Sequence, residues 1–188
     1  MNMKDKKCYL DELRFNCSEE QKKGLHFILT SIIIWSMITF IHMTSIPILT
    51  KNLYTFFATA LLLPIAFIIS KLIKVEFSNK ENPLNNLGML FSMNQMIYLL
   101  IAMWIYAAVP EKMVMILAMI FGAHLLPYGW LYQSISYKIM SVIVPIIALI
   151  IGNMYQASVL SAVMIFIEIV FSRLLIIEVK RMKLRNLN

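Results

Sequence analysis

Six polar side chains set within long apolar runs are the residues of this chain that could do chemistry: Asn94, Gln95, Tyr98, His124, Tyr128 and Glu168. Amide, phenol, imidazole and carboxyl groups in apolar surroundings can bind a small polar or cationic solute, and a histidine with a carboxylate can act as an acid/base pair. On a helix, Tyr98 lies one turn beyond both Asn94 and Gln95, and Tyr128 lies one turn beyond His124. Ser161, Glu168 and Ser172, at i, i+7 and i+11, form a stripe on one face. Glu168 and Arg173 are five residues apart and point away from each other, so the acid needs a partner outside its own helix. His124 is the expected partner; a protonated, hydrogen-bonded carboxyl is the alternative.

The elements that must position these groups are transmembrane helices. Apolar residues make up 60% of the chain and charged residues only 14%, far from the roughly 25% charge of a soluble domain. Six segments approach the roughly 20 apolar residues that a membrane span needs: 25–46, 53–73, 87–107, 113–131, 138–153 and 157–178. The expected fold is therefore all-α and polytopic. A cytosolic amphipathic arm (1–24) precedes the six-helix domain (25–179), and a basic cytosolic tail (180–188) follows it. No cleavable signal is expected, because residues 1–24 are charged throughout and no small-residue cleavage site follows the first apolar run. Outside the spans, the basic residues divide fourteen to two in favour of the side that holds both termini. That places both ends in the cytoplasm and implies contact with anionic lipid headgroups.

Within the arm, Leu10, Leu13 and Cys17 form a short apolar stripe, and Ser18-x-x-Gln21 reads as a capping box opening a helix through Gly24 into the first span. Asn82-Pro83 marks a break before the third span. Cys8 and Cys17 fit no metal motif and are expected to stay reduced.

An internal repeat organises the helices. "ALLLPIAFIISK" (60–71) aligns with "AHLLPYGWLYQS" (123–134), and the same offset carries Pro47 onto Pro110. Helices one and two thus read as a parallel copy of three and four, with five and six as a third, weaker candidate. Pro64 and Pro127 become equivalent kinks that free the carbonyls of Ala60 and Ala123. Only the second copy carries His124, Tyr128 and Tyr132, where the first has Leu61, Ile65 and Ile69. Counting from the cytoplasmic ends places Asn94, Gln95 and His124 about 10 Å deep, Glu168 about 15 Å and Arg173 about 8 Å.

Ionisable groups at these depths face protein or water rather than lipid. Each also has a purely structural use: buried amides join helices, a histidine near Pro127 can bond a backbone carbonyl, and an arginine can snorkel to phosphates. Met89, Met93, Met96 and Met103 share a face, but without Cys or His at ligand spacing they read as adaptable packing rather than a Cu(I) site. No metal or other cofactor is expected. The net charge of +7 is spread along one membrane face with no binding motif, which argues against a nucleic-acid partner. No nucleophile-elbow, zinc-peptidase or phosphate-loop motif is present.

"QKKGLHFIL", "FSNKENPLNNLGMLFSMNQMIYLLIAMWIY" and "MIFGAHLLPYGWLY" resemble a family of uncharacterised small multi-pass membrane proteins of Firmicutes such as Bacillus and Clostridium. The resemblance implies a bacterial plasma membrane and no defined activity. The residues support, in descending order, a carrier or binder of a small polar or cationic solute, a non-catalytic membrane partner or assembly subunit, and a lipid-modifying enzyme using His124 and Glu168.

Overall fold

The computed structural model describes residues 2–75 and 82–185, and every regular element among them is helical. Eight α-helices follow one another: α1 (Met3–Glu20), α2 (Leu25–Met43), α3 (Ile48–Ala60), α4 (Leu62–Leu72), α5 (Leu84–Ala108), α6 (Met113–Leu131), α7 (Ile135–Met154) and α8 (Ala157–Arg185). Six stretches are long and apolar enough to cross a membrane: Lys22–Met43, Ile48–Leu72, Asn86–Ala108, Pro110–Leu131, Ile135–Met154 and Ala157–Leu184. The chain is a multi-pass, all-α membrane protein.

Several spans start earlier than hydropathy alone places them. The second begins at Ile48, behind Pro47, and takes in Lys51, whose ammonium reaches the His42 carbonyl at 3.3 Å. The fifth begins at Ile135, where the Ser134 hydroxyl caps the helix by accepting from the Tyr137 amide at 3.3 Å. The break expected at Asn82-Pro83 is present, with the Asn82 side-chain oxygen accepting from the Leu84 amide at 3.0 Å at the start of α5. Residues 76–81, which lead into it, lie outside the described residues.

The core is built on α2, α6, α7 and α8. The most extensive packing joins α6 to α7 and α2 to α8, while α3–α4 and α5 lie at the periphery. Apolar burial gives little drive for helix association inside lipid, so close approach through small residues carries the packing. Gly122 shows this: a Cβ there would lie 2.5 Å from the Pro145 ring on α7. At Gly152 a Cβ would lie 2.5 Å from the Met115 side chain on α6.

Ser18-x-x-Gln21 does not open a helix, contrary to the sequence reading. Ser18 lies in the last turn of α1, where its hydroxyl donates to the Arg14 carbonyl at 2.7 Å. The chain then breaks through three successive left-handed residues, Lys22 (φ 45°), Lys23 (φ 52°) and Gly24 (φ 68°). A capping-box signal is outweighed here because the turn lets α1 fold back across the bundle. At Gly24 a Cβ would also meet the Tyr137 hydroxyl at 3.0 Å.

Two cations from this folded-back segment serve the C-terminal ends of two helices, and a third pairs with an acid within α8. Arg14 donates from Nε (3.0 Å) and Nη2 (2.5 Å) to the Trp130 carbonyl, with its guanidinium 4.5 Å from the centre of the Trp130 ring. Lys22 donates to the Ile73 carbonyl at the end of α4, and Lys23 pairs with Glu178 on α8 at 2.8 Å. Last-turn carbonyls lack intrahelical partners and carry the negative end of the helix dipole, so positive side chains are well placed there. The half of α1 beyond Leu10 is thus docked on this face, while residues 2–10 are exposed.

The two repeat prolines sit in different local structure. Pro64 is the third residue of α4, just past the break at Leu61, whose amide donates back to the Ala58 carbonyl at 3.2 Å. Pro127 lies inside an unbroken α6.

Candidate functional site

Glu168 is fully buried on α8, about 17 Å along the helix from Ala157. Its Oε2 lies 2.7 Å from the Ser31 hydroxyl on α2, whereas Oε1 is buried without a hydrogen-bond partner among the described residues. One turn on, the Ser172 hydroxyl is also buried without a partner. Ser161, at the other end of the stripe, is buried with its hydroxyl donating to the Ser158 carbonyl at 3.0 Å.

The Ser31 hydroxyl has two acceptors at 2.7 Å, Glu168 Oε2 and the Ile28 carbonyl, and only one proton to give. A proton carried on Oε2 lets the carboxyl donate to Ser31 while Ser31 donates to Ile28. The arrangement can therefore hold a neutral acid, and the unpartnered Oε1 and Ser172 hydroxyl leave capacity for a further polar group.

His124 is half-buried, and its Nδ1 lies 3.2 Å from the Phe121 carbonyl of its own helix. A carbonyl only accepts, so Nδ1 carries the hydrogen and a neutral ring presents Nε2 as an acceptor. The ring stands edge-on to Tyr128, with centroids 5.2 Å apart. Among the described residues no hydrogen bond or ion pair joins His124 to Glu168. The buried Tyr128 hydroxyl donates to the Gly88 carbonyl at 3.1 Å and lies 2.6 Å from the Ser92 hydroxyl. Tyr128 is thus tied to α5 through Gly88 and Ser92 rather than through Asn94 or Gln95.

Asn94 and Tyr98 are exposed on α5 and bond each other, the Asn94 amide donating to the Tyr98 hydroxyl at 2.9 Å, while Gln95 is half-buried. Of the six residues singled out, the structure brings His124 and Tyr128 together, pairs Asn94 with Tyr98, and sets Glu168 against α2. Arg173 is exposed on α8, in keeping with a headgroup-directed side chain.

Sequence reasoning missed Ser31 and a second buried network. Lys23 pairs with Glu178, whose other oxygen accepts from the Ser136 amide (3.0 Å) and hydroxyl (2.6 Å). Tyr128, Tyr132, Tyr137 and Phe171 form a chain of ring contacts beside it, with successive centroids 5.8, 5.7 and 4.9 Å apart: the first pair is stacked, the second tilted and the third edge-on. The available signal was the i+10 extension of the Glu168 face to Glu178, which seats both acids on one side of α8. No group of three potential metal ligands occurs among the described residues.

A family model for a family of unknown function, DUF7010, matches residues 10–178. The chain belongs to the DUF7010 family. The matched DUF7010 region runs from the docked half of α1 to Glu178, so it takes in Arg14, Ser31, Glu168 and both halves of the Lys23–Glu178 pair. Neither a curated protein nor a solved structure matches the chain.

Proposed function

We propose that this DUF7010 protein is a membrane carrier or binder of a small polar or cationic solute, with Glu168 as its proton- or cation-binding group. The observation that carries the reading is the incomplete hydrogen bonding at mid-span: among the described residues, a fully buried carboxyl whose Oε1 has no partner, beside a buried Ser172 hydroxyl that also has none. An ionisable group at that depth is costly to keep and marks a binding or proton-relay site far more often than a structural one. His124 and Tyr128, with Asn94, Gln95 and Tyr98 on the neighbouring α5, are read as further polar groups that the solute could meet.

The test is a thermal-shift screen of the detergent-solubilised protein against monovalent cations, polyamines and polar metabolites, run in parallel on Glu168→Gln. A stabilising ligand acts by mass action, so a shift in the native protein that disappears in the variant supports the reading. Shifts equal in both proteins, or none in either, overturn it.

The second reading, a non-catalytic assembly subunit, is favoured by the capture of Tyr128 and His124 in interhelical and backbone bonds. An acid/base role in a lipid-modifying enzyme draws least support, because His124 and Glu168 are not bonded to each other. The basic side chains concentrated on the terminal face favour a plasma-membrane orientation with both ends in the cytoplasm. Cysteine placed at Asn153 is then labelled from outside intact cells and the native Cys8 only after permeabilisation; the opposite pattern reverses the orientation.

A further inference from the structure

A second polar region lies at the other end of the bundle from α1. Here the α2–α3 connection, the Pro110–Lys112 turn and the α7–α8 connection surround a cavity of about 770 Å³. That is within the roughly 300–1,000 Å³ of small-molecule sites. Its charged and ionisable lining is His42, Lys51, Glu111 and Lys112, with Asn153 and Ser158 among the neutral polar groups.

The two lysines are placed unusually for membrane-face cations. Among the described residues Lys51 donates to the His42 carbonyl, at 3.3 Å, and Lys112 to the Gly152 carbonyl at 2.9 Å and the Asn153 side-chain oxygen at 3.0 Å. Among the described residues neither is ion-paired. An ammonium has three N–H donors, so both lysines retain hydrogen-bonding capacity beyond these neutral contacts. The only acid on the wall, Glu111, is exposed.

Helix geometry adds to the positive potential. The first residue of α3, Ile48, and the first two of α8, Ala157 and Ser158, line the same cavity, so two helix N-termini open onto it. No side chain caps the N-terminus of α3. Backbone N–H groups at such ends lack intrahelical partners and favour negative charge. His42, which also lines the cavity, is held against α3 by the contact of its Nε2 with the Thr55 hydroxyl at 3.2 Å.

We infer that this vestibule, between Lys51 and Lys112, is a binding site for a small oxyanion: a carboxylate- or phosphate-bearing group. The inference stands apart from the Glu168 reading, since it uses different residues at the opposite end of the bundle. The oxyanion belongs either to a soluble solute or to a phospholipid headgroup, which the lysines would recognise through the same chemistry.

The experiment is calorimetric titration of the full chain in detergent with citrate and with inorganic phosphate, at ionic strength matched with chloride. Lys51→Gln is expected to weaken citrate binding about threefold to tenfold, the size of one partly screened charge at close range. Glu111→Gln is expected to strengthen it by a similar factor, and because Glu111 is exposed this gain does not depend on a destabilised variant. Glu168→Gln leaves it unchanged, which separates this site from the proposed carrier site. Repeating the citrate titration in phosphatidylcholine nanodiscs with and without phosphatidylglycerol identifies the source. Competition by phosphatidylglycerol that Lys51→Gln removes assigns the oxyanion to a headgroup; affinity unaffected by it assigns the site to a soluble anion. Either result supports the site. Absence of binding, or equal affinity in the native protein, Lys51→Gln and Glu111→Gln, overturns it.

Discussion

Replacing Glu168 by leucine is expected to make the protein more stable while abolishing its response to ligand. In the native protein a buried carboxyl oxygen without a partner carries a desolvation cost of about 1–3 kcal/mol. Leucine removes that cost. What is lost is one interhelical hydrogen bond to Ser31, which within membranes averages about 0.6 kcal/mol. Ser31 is not orphaned by the change, because its hydroxyl still donates to the Ile28 carbonyl at 2.7 Å. The difference is a net stabilisation of about 0.5–2 kcal/mol, and for a chain of this size each kcal/mol moves the midpoint by about 2–4 °C. Thermal unfolding in detergent, followed by intrinsic tryptophan fluorescence, should therefore show a midpoint raised by about 1–8 °C. A site kept for function at the expense of stability has this signature. A midpoint lowered by a similar amount would refute the reasoning: it would mean that the carboxyl is a satisfied member of the α2–α8 interface, with a structural role only.

Three further outcomes follow from the packing. Gly122→Ala sets a methyl group 2.5 Å from the Pro145 ring, which cannot rotate away, so a loss of about 1–3 kcal/mol is expected in the same unfolding assay; an unchanged midpoint would show that α6 and α7 are not in close contact there. Arg14→Ala strips the Trp130 carbonyl of its Nε and Nη2 donors, and limited trypsin digestion should then cut within α1 several-fold faster while the spans stay protected. Cys8 is exposed and should be alkylated at neutral pH, whereas burial, with Glu20 nearby, pushes the Cys17 thiol up to about 12, so Cys17 should react only after unfolding. Because the folded thiol keeps its proton while the unfolded one loses it above its ordinary value of 9.0, the stability contributed is complete below pH 9 and declines between about 9 and 12. A Cys17→Ser variant whose midpoint falls as steeply over that interval would assign the decline to other groups.

Sequence alone determined the class, the number of spans and the burial of Glu168, because each depends on properties that sum along the chain. A stretch of apolar residues long enough to cross hydrocarbon is a helix whatever surrounds it, since lipid offers no other partner for the backbone. The depth of Glu168 follows from counting residues at a fixed rise. Partnerships do not follow from counting. Whether Glu168 meets His124 or Ser31 depends on how α8 is rotated against α2 and α6, and that rotation is set by where small residues such as Gly122 and Gly152 let backbones approach. The same holds for the α1 segment: its capping signal was legible, but folding back onto the bundle through Lys22, Lys23 and Gly24 adds contacts to the ends of α6 and α4 and to Glu178 of α8 that no local pattern contains. The vestibule was invisible for the same physical reason. Lys51 and Lys112 are far apart in sequence and looked like stray charges beside their spans, and only the meeting of three helix connections at one end of the bundle makes them part of the lining of a single cavity.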